Sequence, residues 1–190
     1  FILACSAPLK AQNSVKLDGI NLFDTLQYTS VYTEKVYNKK YPPAYLFDGD
    51  YRTCWVAGSH KANENPSIFA MLPGREHYVL NLFPGYVKSM ALFNQNARPK
   101  KINLTLYPAY TWGGFAMNYG HRYLMAKFPW ETIIHVPDSF HLQSVPLEIP
   151  RERLANFKKK VEEEYKSTHE FPLEISTIII KIEILESYPG

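Results

Sequence analysis

Lys101-Ile102-Asn103-Leu104-Thr105-Leu106-Tyr107 shows the clearest alternation of apolar and polar residues in the chain. Successive side chains point to opposite faces of a β-strand, so the pattern places Ile102, Leu104 and Leu106 on one face and polar residues on the other. It predicts a half-buried strand of an antiparallel sheet.

Other β-like runs flank this stretch at intervals of about ten residues, which is typical of a β-sandwich or barrel. Turn residues separate the runs, as in Asp48-Gly49-Asp50, Pro73-Gly74 and Pro84-Gly85. Residues 107–130 are rich in glycine and aromatic residues and are predicted to form a long loop. The predicted strands cover residues 45–47, 53–57, 67–72, 78–83, 88–93, 101–107, 132–136, 140–149 and 177–185.

One amphipathic helix is predicted near residues 151–166, after Pro150, because apolar residues recur there at steps of three and four. The runs Lys158-Lys159-Lys160 and Glu162-Glu163-Glu164 fall on its outer face, and Glu162 and Lys166 have favourable helical spacing. We interpret this charged side as a solvated face. The apolar positions are Leu154, Phe157, Val161 and Tyr165.

Composition indicates one globular domain with a packed core, since 46% of the 190 residues are hydrophobic and 21% are charged. The 21 basic and 18 acidic residues are scattered, which argues against a nucleic-acid partner. The aromatic fraction of 15% suits both strands and recognition surfaces. The two cysteines, Cys5 and Cys54, have no metal-ligand spacing, so a zinc site is not expected.

The first residues, Phe1-Ile2-Leu3-Ala4-Cys5-Ser6, are typical of the end of a signal-peptide core. Ile-Leu-Ala-Cys resembles a bacterial lipobox, whose cysteine is lipidated after cleavage. Residues 1–5 are therefore interpreted as a signal remnant and lipobox, and residues 6–40 as a linker with the first strands. The alternative is that Cys5 is a buried or disulfide-bonded cysteine in an ordinary strand.

The run Tyr45-Leu46-Phe47-Asp48-Gly49-Asp50-Tyr51-Arg52-Thr53-Cys54-Trp55-Val56 resembles the opening signature of discoidin-like domains. Asn96-Ala97-Arg98-Pro99-Lys100-Lys101 and Lys181-Ile182-Glu183-Ile184 add further matches. Residues 41–190 thus resemble the galactose-binding-like superfamily, most of all the glycan-binding domains first described beside bacterial NAD glycohydrolases. This chain departs from them in a shortened loop after Asn94 and in stopping at Gly190, where relatives continue into a last short strand.

The resemblance implies an all-β, antiparallel jelly-roll sandwich of about eight strands, whose loops at one end hold the ligand. It also implies a structural ion near the Asp-Gly-Asp turn. Asp48 and Asp50 carboxylates with the Thr53 hydroxyl could bind one Ca²⁺, which prefers several oxygen ligands. The same residues could instead form only a tight turn. Trp55 is predicted to lie in the core.

Two groups of candidate ligand-binding residues follow. Arg98 offers a planar fork of donors beside the Asn96 amide, although the arginine could equally be paired to an internal carboxylate. In the glycine-spaced segment, flat rings can stack on the apolar face of a sugar, or else close one end of the sandwich. Its candidate residues are Tyr107, Tyr110, Trp112, Tyr119 and His121.

The sequence contains no Gly-x-Ser-x-Gly elbow, zinc-protease motif, phosphate loop or dinucleotide fingerprint, so we do not expect an enzyme. Cys54 falls in a predicted strand, where nothing would activate its thiol. We expect a non-catalytic module of an extracytoplasmic bacterial lipoprotein that binds carbohydrate or a host surface ligand. The alternatives are a protein-interaction or envelope-assembly domain and, third, a small glycan hydrolase with two carboxylates that meet only in space.

Lipidation of Cys5 is directly testable. We expect mass spectrometry of the protein from its native host to find a diacylated Cys5 at the mature amino terminus, a modification that anchors a protein without a membrane-spanning segment. Recovery of an intact Ile-Leu-Ala-Cys peptide, or of a Cys5–Cys54 disulfide, would contradict the lipobox interpretation.

Overall fold

The computed structural model describes residues 17–22, 28–29, 43–46, 48–56, 65–72, 74–112, 116–117 and 120–190. Antiparallel strands dominate this part of the chain, which confirms the predicted all-β class. The strands are β1 Leu17–Leu22, β2 Tyr28–Thr29, β3 Ser67–Leu72, β4 Tyr78–Leu82, β5 Arg98–Trp112, β6 Ala116–Met117, β7 Gly120–Ala126, β8 Glu131–His135, β9 Gln143–Leu147 and β10 Leu173–Tyr188. The helices are the 3-10 turn Pro43–Leu46, α1 Met90–Gln95 and α2 Arg151–Thr168.

Strands β5 and β10 form the centre of the main sheet. They pair antiparallel along their length, from Trp112 opposite Leu173 to Arg98 opposite Tyr188. β3 pairs with the other edge of β10, and β7 and β8 share the other edge of β5. β1 extends the sheet beside β7, β2 extends it beside β3, and the short β6 pairs with β7.

One face of this sheet forms the main core. Leu104 and Leu106 of β5 are fully buried there, and the β-branched residues of β10 suit the pleated surface beside them. β4 and β9 form a two-stranded sheet whose apolar residues pack against the same core. The half-buried alternation predicted at Ile102, Leu104 and Leu106 is therefore confirmed.

Helix α2 covers another part of that face. Its Leu154 and Val161 are buried, as the three- and four-residue spacing predicted. On the opposite side, exposed ion pairs join Lys159 to Glu163 and Lys160 to Glu164 at helical spacing. The amphipathic helix and its charged outer side are thus as predicted, and the helix ends two residues later, at Thr168.

Among the described residues, no helix is both long enough and apolar enough to span a membrane.

Three predicted elements are wrong. The structure forms a 3-10 turn at Pro43–Leu46 and no regular element at residues 53–56, where strands were expected. The strand predicted at residues 88–93 is instead helix α1, because the Ser89 side chain accepts a hydrogen bond from the Leu92 N–H and caps its amino terminus.

The long loop predicted over residues 107–130 is also wrong. β5 continues through this segment to Trp112, and β7 occupies Gly120–Ala126. The loop was predicted because the segment is rich in glycine and aromatic residues. Pairing with β10 on one side and β7 on the other instead supports an extended backbone at Ala109 and Tyr110.

Tyr110 lies wholly buried between the sheet and α2, beside Ala126 and Val161. Its hydroxyl donates a hydrogen bond to the carbonyl of Lys158 at 3.3 Å. Burial raises the pKa of this phenol far above its ordinary range, so the ring stays neutral. Tyr110 therefore joins the helix to the sheet.

We expect Tyr110→Ala to lower the free energy of unfolding by about 3–5 kcal/mol, the usual cost of removing a large buried ring. Tyr110→Phe keeps the ring and loses one hydrogen bond, so its cost should be about 1 kcal/mol. Urea denaturation followed by circular dichroism measures both variants. Equal, small losses would show that the ring is not part of the core.

Candidate functional site

The predicted ligand residues are spread along β5 from one end to the other. Asn96 and Arg98 stand where this strand begins, whereas Trp112 stands where it ends. Fourteen residue steps at about 3.3 Å span roughly 45 Å in a straight strand. One small ligand cannot reach both groups, so the single site predicted from the sequence is corrected to two separate regions. We name them the Arg98 end and the Trp112 end.

At the Trp112 end, the structure describes only the backbone of the key residues. Trp112 pairs with Leu173, and His121 pairs with Ala116 and Leu22. The side chains of Trp112 and His121 and the whole of Tyr119 lie outside the described residues. Cys5 does too. Their roles stay predictions.

Tyr107 lies between the two ends, on the face of the sheet opposite the main core. Its ring meets that of Phe69 at a centroid distance of 5.8 Å, and both are half-buried. They pack against a second apolar cluster that includes Tyr123 and Ile179. Tyr110 is buried in the cluster between the sheet and α2. The assignment of Tyr110 to the ligand surface is therefore wrong, because solvent does not reach its side chain.

Arg98 is buried, with 7% of its surface exposed. Its Nε and Nη2 donate to the two carboxylate oxygens of Asp138 at 2.7 and 3.0 Å. Its Nη1 donates to the carbonyls of Phe93 and Asn96 at 2.8 and 2.9 Å, and the guanidinium lies over the Phe93 ring. This geometry favours the internal carboxylate pair that the sequence left open as the alternative to ligand contact.

Two residues near Arg98, Asn96 and Gly85, support the packing around it. The Asn96 side-chain amide donates to the Leu92 carbonyl at 2.6 Å and so satisfies an acceptor at the end of α1. A Cβ atom on Gly85 would lie 2.9 Å from Cγ of Arg98, so only glycine leaves room for the arginine stem. Asn96 and Arg98 thus hold the turns of this end together beneath its surface.

The Asp48 turn is closed by its own hydrogen bonds. The Asp48 carboxylate accepts from the Asp50 N–H and from the Thr53 hydroxyl, both at 2.8 Å. Gly49 has a φ of +74°, which glycine adopts without strain. These contacts are those of a tight turn, which was the predicted alternative to a calcium loop.

The Asp50 carboxylate is held by a forked contact with Arg52, whose Nη2 lies 2.7 Å from Oδ2. The hydrogen bond from Arg52 lowers the pKa of Asp50 to about 2. Any calcium ion at Asp48, Asp50 and Thr53 would have to compete with this guanidinium for Asp50. Among the described residues, no three acidic, histidine or cysteine side chains are grouped to hold a metal.

Exposed apolar side chains gather at the same end. Tyr51 is 59% exposed, Phe83 is 40% exposed, and their ring centroids lie 6.4 Å apart at a tilt of 50°. Leu142 is also half exposed, and it adjoins Phe83 because Leu82 pairs with Gln143 in the β4–β9 sheet. We name these three residues the apolar patch. An exposed apolar patch on a folded domain is typical of an interaction surface.

Charged groups border the apolar patch. Asp50 and Arg52, which flank Tyr51 in the sequence, form an ion pair with each other. The positive charge of Lys88 also helps to lower the pKa of Asp50. Sequence reasoning missed Tyr51 and Phe83 as surface residues. Phe83 ends an apolar run and Tyr51 lies between two charged residues, and strand periodicity alone does not show which rings a neighbouring layer covers.

Cys54 follows the turn as a free, partly buried thiol. Burial raises the pKa of this thiol, which disfavours the thiolate that a nucleophile requires. Elsewhere, an open depression of about 440 Å³ lies at the connection between β7 and β8. It is lined by Lys127, Phe128, Pro129, Trp130 and Glu131.

Comparison with known proteins adds no relative. No family model matches the chain, and no match was found among curated proteins or solved structures. The molecule is therefore defined by its own features, an antiparallel β domain whose Arg98 end carries an apolar patch above a buried arginine.

The Arg98–Asp138 pair should make stability depend on pH. The hydrogen bond from Arg98 lowers the pKa of Asp138, so its stabilisation is fully present above the unfolded value of about 3.9 and is lost as pH falls through the lower folded value. We expect Asp138→Asn to lower Tm by several degrees at pH 6, and the difference from the wild type to shrink toward pH 2. A Tm difference that is constant over this pH range would exclude the ion pair as its cause.

Proposed function

We propose that this chain is a non-catalytic binding module that recognises carbohydrate through its Arg98 end. The observation that carries the proposal is the exposed pair of rings, Tyr51 and Phe83, in contact with each other. Tyr51 stands on a turn closed by the Asp48 and Thr53 side chains, and Phe83 lies two residues before Gly85, which packs against the buried Arg98. A large aromatic ring that stays exposed forgoes the stabilisation that burial of its apolar surface would give. An exposed pair of such rings is therefore typical of a surface that a ligand covers.

The chemistry of the end suits a sugar. The two tilted rings are in contact and form one exposed aromatic surface, and the apolar face of a pyranose can lie against such a ring. Arg52, with a side chain 66% exposed, offers planar donors beside Tyr51, and Asp50 offers acceptors. Rings supply the contact area, and the charged groups can orient the hydroxyls.

Rigidity supports the same function. Arg98 fixes α1 and the turn at Asp138, while the Asp48–Thr53 bonds fix the turn that carries Tyr51. A surface that is ordered before binding loses less conformational entropy when the ligand arrives. Shallow sites need this saving because each of their contacts is weak.

The proposal extends to fold and location. Packing of the β4–β9 sheet on the eight-stranded sheet is compatible with a jelly-roll sandwich of the galactose-binding-like kind, with ligand loops at one end. With Cys5 lipidated, the domain would be held at an extracytoplasmic membrane surface and bind glycans there. A calcium ion at the Asp48 turn would be structural and would support the same loops.

A second candidate is a protein-interaction or envelope-assembly domain. The exposed Leu142 favours this second candidate. So does Met90, which is 54% exposed and begins α1, the helix at the Arg98 end. Aliphatic side chains have no stacking face for a sugar but fit the core of a protein interface. The two candidates share the surface and differ in the ligand.

A glycan array followed by titration of the bound glycan tests the proposal. We expect Tyr51→Ala and Phe83→Ala each to weaken binding by roughly three- to ten-fold, the loss of one aromatic contact, with little change in Tm. The matched control is Phe171→Ala, since Phe171 is 63% exposed beside Leu173 at the Trp112 end. The control should bind as the wild type does.

Other outcomes separate the alternatives. Binding that is lost in Trp112→Ala but kept in both patch variants would move the site to the Trp112 end. A chain that binds no glycan but captures an envelope protein through Tyr51 and Phe83 would favour the interaction domain. Turnover of a bound glycan would overturn the non-catalytic assignment.

A further inference from the structure

Among the described strands, β8 is paired along one edge only. It pairs with β5, from Glu131 opposite Thr105 to His135 opposite Lys101. In the part of the chain that the structure describes, no strand pairs with its other edge. An open edge presents N–H and C=O groups that can bind a further strand.

The alternation of hydrogen bonds along β8 shows which backbone groups point away from β5. The Val136 N–H donates to the carbonyl of Lys100, the residue opposite it, so Val136 and then every second residue of β8 bond to β5. These residues include Ile134 and Thr132. The backbone groups of Glu131, Ile133 and His135 therefore point to the open edge. Their side chains share the outer face, where Ile133 is 51% exposed.

The charges along this edge are self-complementary. If a second β8 pairs antiparallel with the first about a two-fold axis at Ile133, each Glu131 stands opposite the His135 of the other copy. The imidazole can donate a hydrogen bond to that carboxylate in either protonation state. Ile133 then faces itself, and two exposed apolar side chains cover one another.

Two prolines select this register. In the centred arrangement, Glu131, Ile133 and His135 form three facing pairs, each of which can exchange two N–H···O bonds. A shift by two residues brings Pro129 or Pro137 opposite one of the outward residues, and proline has no N–H to donate. Only the centred register uses every outward group.

From this geometry we infer that β8 is a homodimerisation edge, whose occupant is β8 of a second copy of this chain. The two main sheets join across the two-fold axis into one continuous sheet. Own-chain neighbours of the pairing are Lys127, which forms an ion pair with Glu131, and Lys101, which lies opposite His135 and contacts Glu186. The five-residue edge is short, so association is weak and reversible.

Hydrogen exchange by NMR, combined with sedimentation velocity from low to high micromolar concentration, tests the inference on the full chain. We expect a concentration-dependent dimer in which the amides of Glu131, Ile133 and His135 gain protection as the dimer forms. The amides of Thr132, Ile134 and Val136 should be protected at every concentration, because they bond to β5. They serve as internal controls.

Variants of the edge sharpen the test. Ile133→Pro removes one outward N–H and no bond to β5, and should weaken dimerisation at least ten-fold while Tm of the monomer changes little. Glu131→Lys should also weaken it, by placing Lys opposite His. The double variant Glu131→Lys, His135→Glu places a Lys opposite a Glu in each outer pair and should restore the dimer.

Three outcomes would overturn the inference. The first is a chain that stays monomeric at the highest concentration. The second is protection of the Glu131, Ile133 and His135 amides at every concentration, which would mean that another part of the same chain covers the edge. The third is a dimer that Ile133→Pro and the charge variants leave unchanged, which would place the contact elsewhere.

Discussion

The antiparallel pairing of β5 with β10 organises the main sheet and, through it, the core. These strands, of 15 and 16 residues, lie side by side from Arg98 to Trp112, and the other strands of the main sheet are added at their outer edges. Their partners are far apart in sequence, so the pairing forms only when a long chain segment closes on itself. Once formed, it fixes which residues face the core and which face outward. The β4–β9 sheet and α2 then cover the core face because its apolar side chains need partners.

The length of β5 also decides how function can be arranged. A strand of this length carries its two ends to opposite sides of a small domain, so two residues of the same strand can be far apart in space. Arg98 becomes the support of one end, since a buried guanidinium must satisfy its donors and does so with Asp138, Phe93 and Asn96. Tyr51 and Phe83 are exposed at the same end, Tyr51 on the turn closed by Asp48 and Thr53, and Phe83 just before Gly85, which packs against Arg98.

Local patterns predicted most elements whose side chains alternate or repeat. Strand β3 has the bounds expected for it, and α2 follows its apolar spacing. Failures came where another interaction overrides the local pattern, as at α1, where the Ser89 cap converts an apolar run into a helix. The site was harder. Whether Arg98 meets a ligand or Asp138, and whether Tyr110 is covered by a helix, depends on residues 40 and 48 positions away, at Asp138 and Lys158. No short window of sequence contains that information.

Dimerisation through the β8 edge would give the molecule two copies of the proposed glycan site. A shallow surface built from two rings and one ion pair gives low affinity for a single glycan, because little apolar area is covered and the polar groups were already solvated. Joining two chains through β8 would present two Arg98 ends on one rigid sheet, at a fixed spacing. A glycan-coated surface offers many equivalent ligands, so the second contact forms at high effective concentration and the complex dissociates far more slowly. A weak dimer therefore suits a weak site, since crowding on a surface strengthens both associations together.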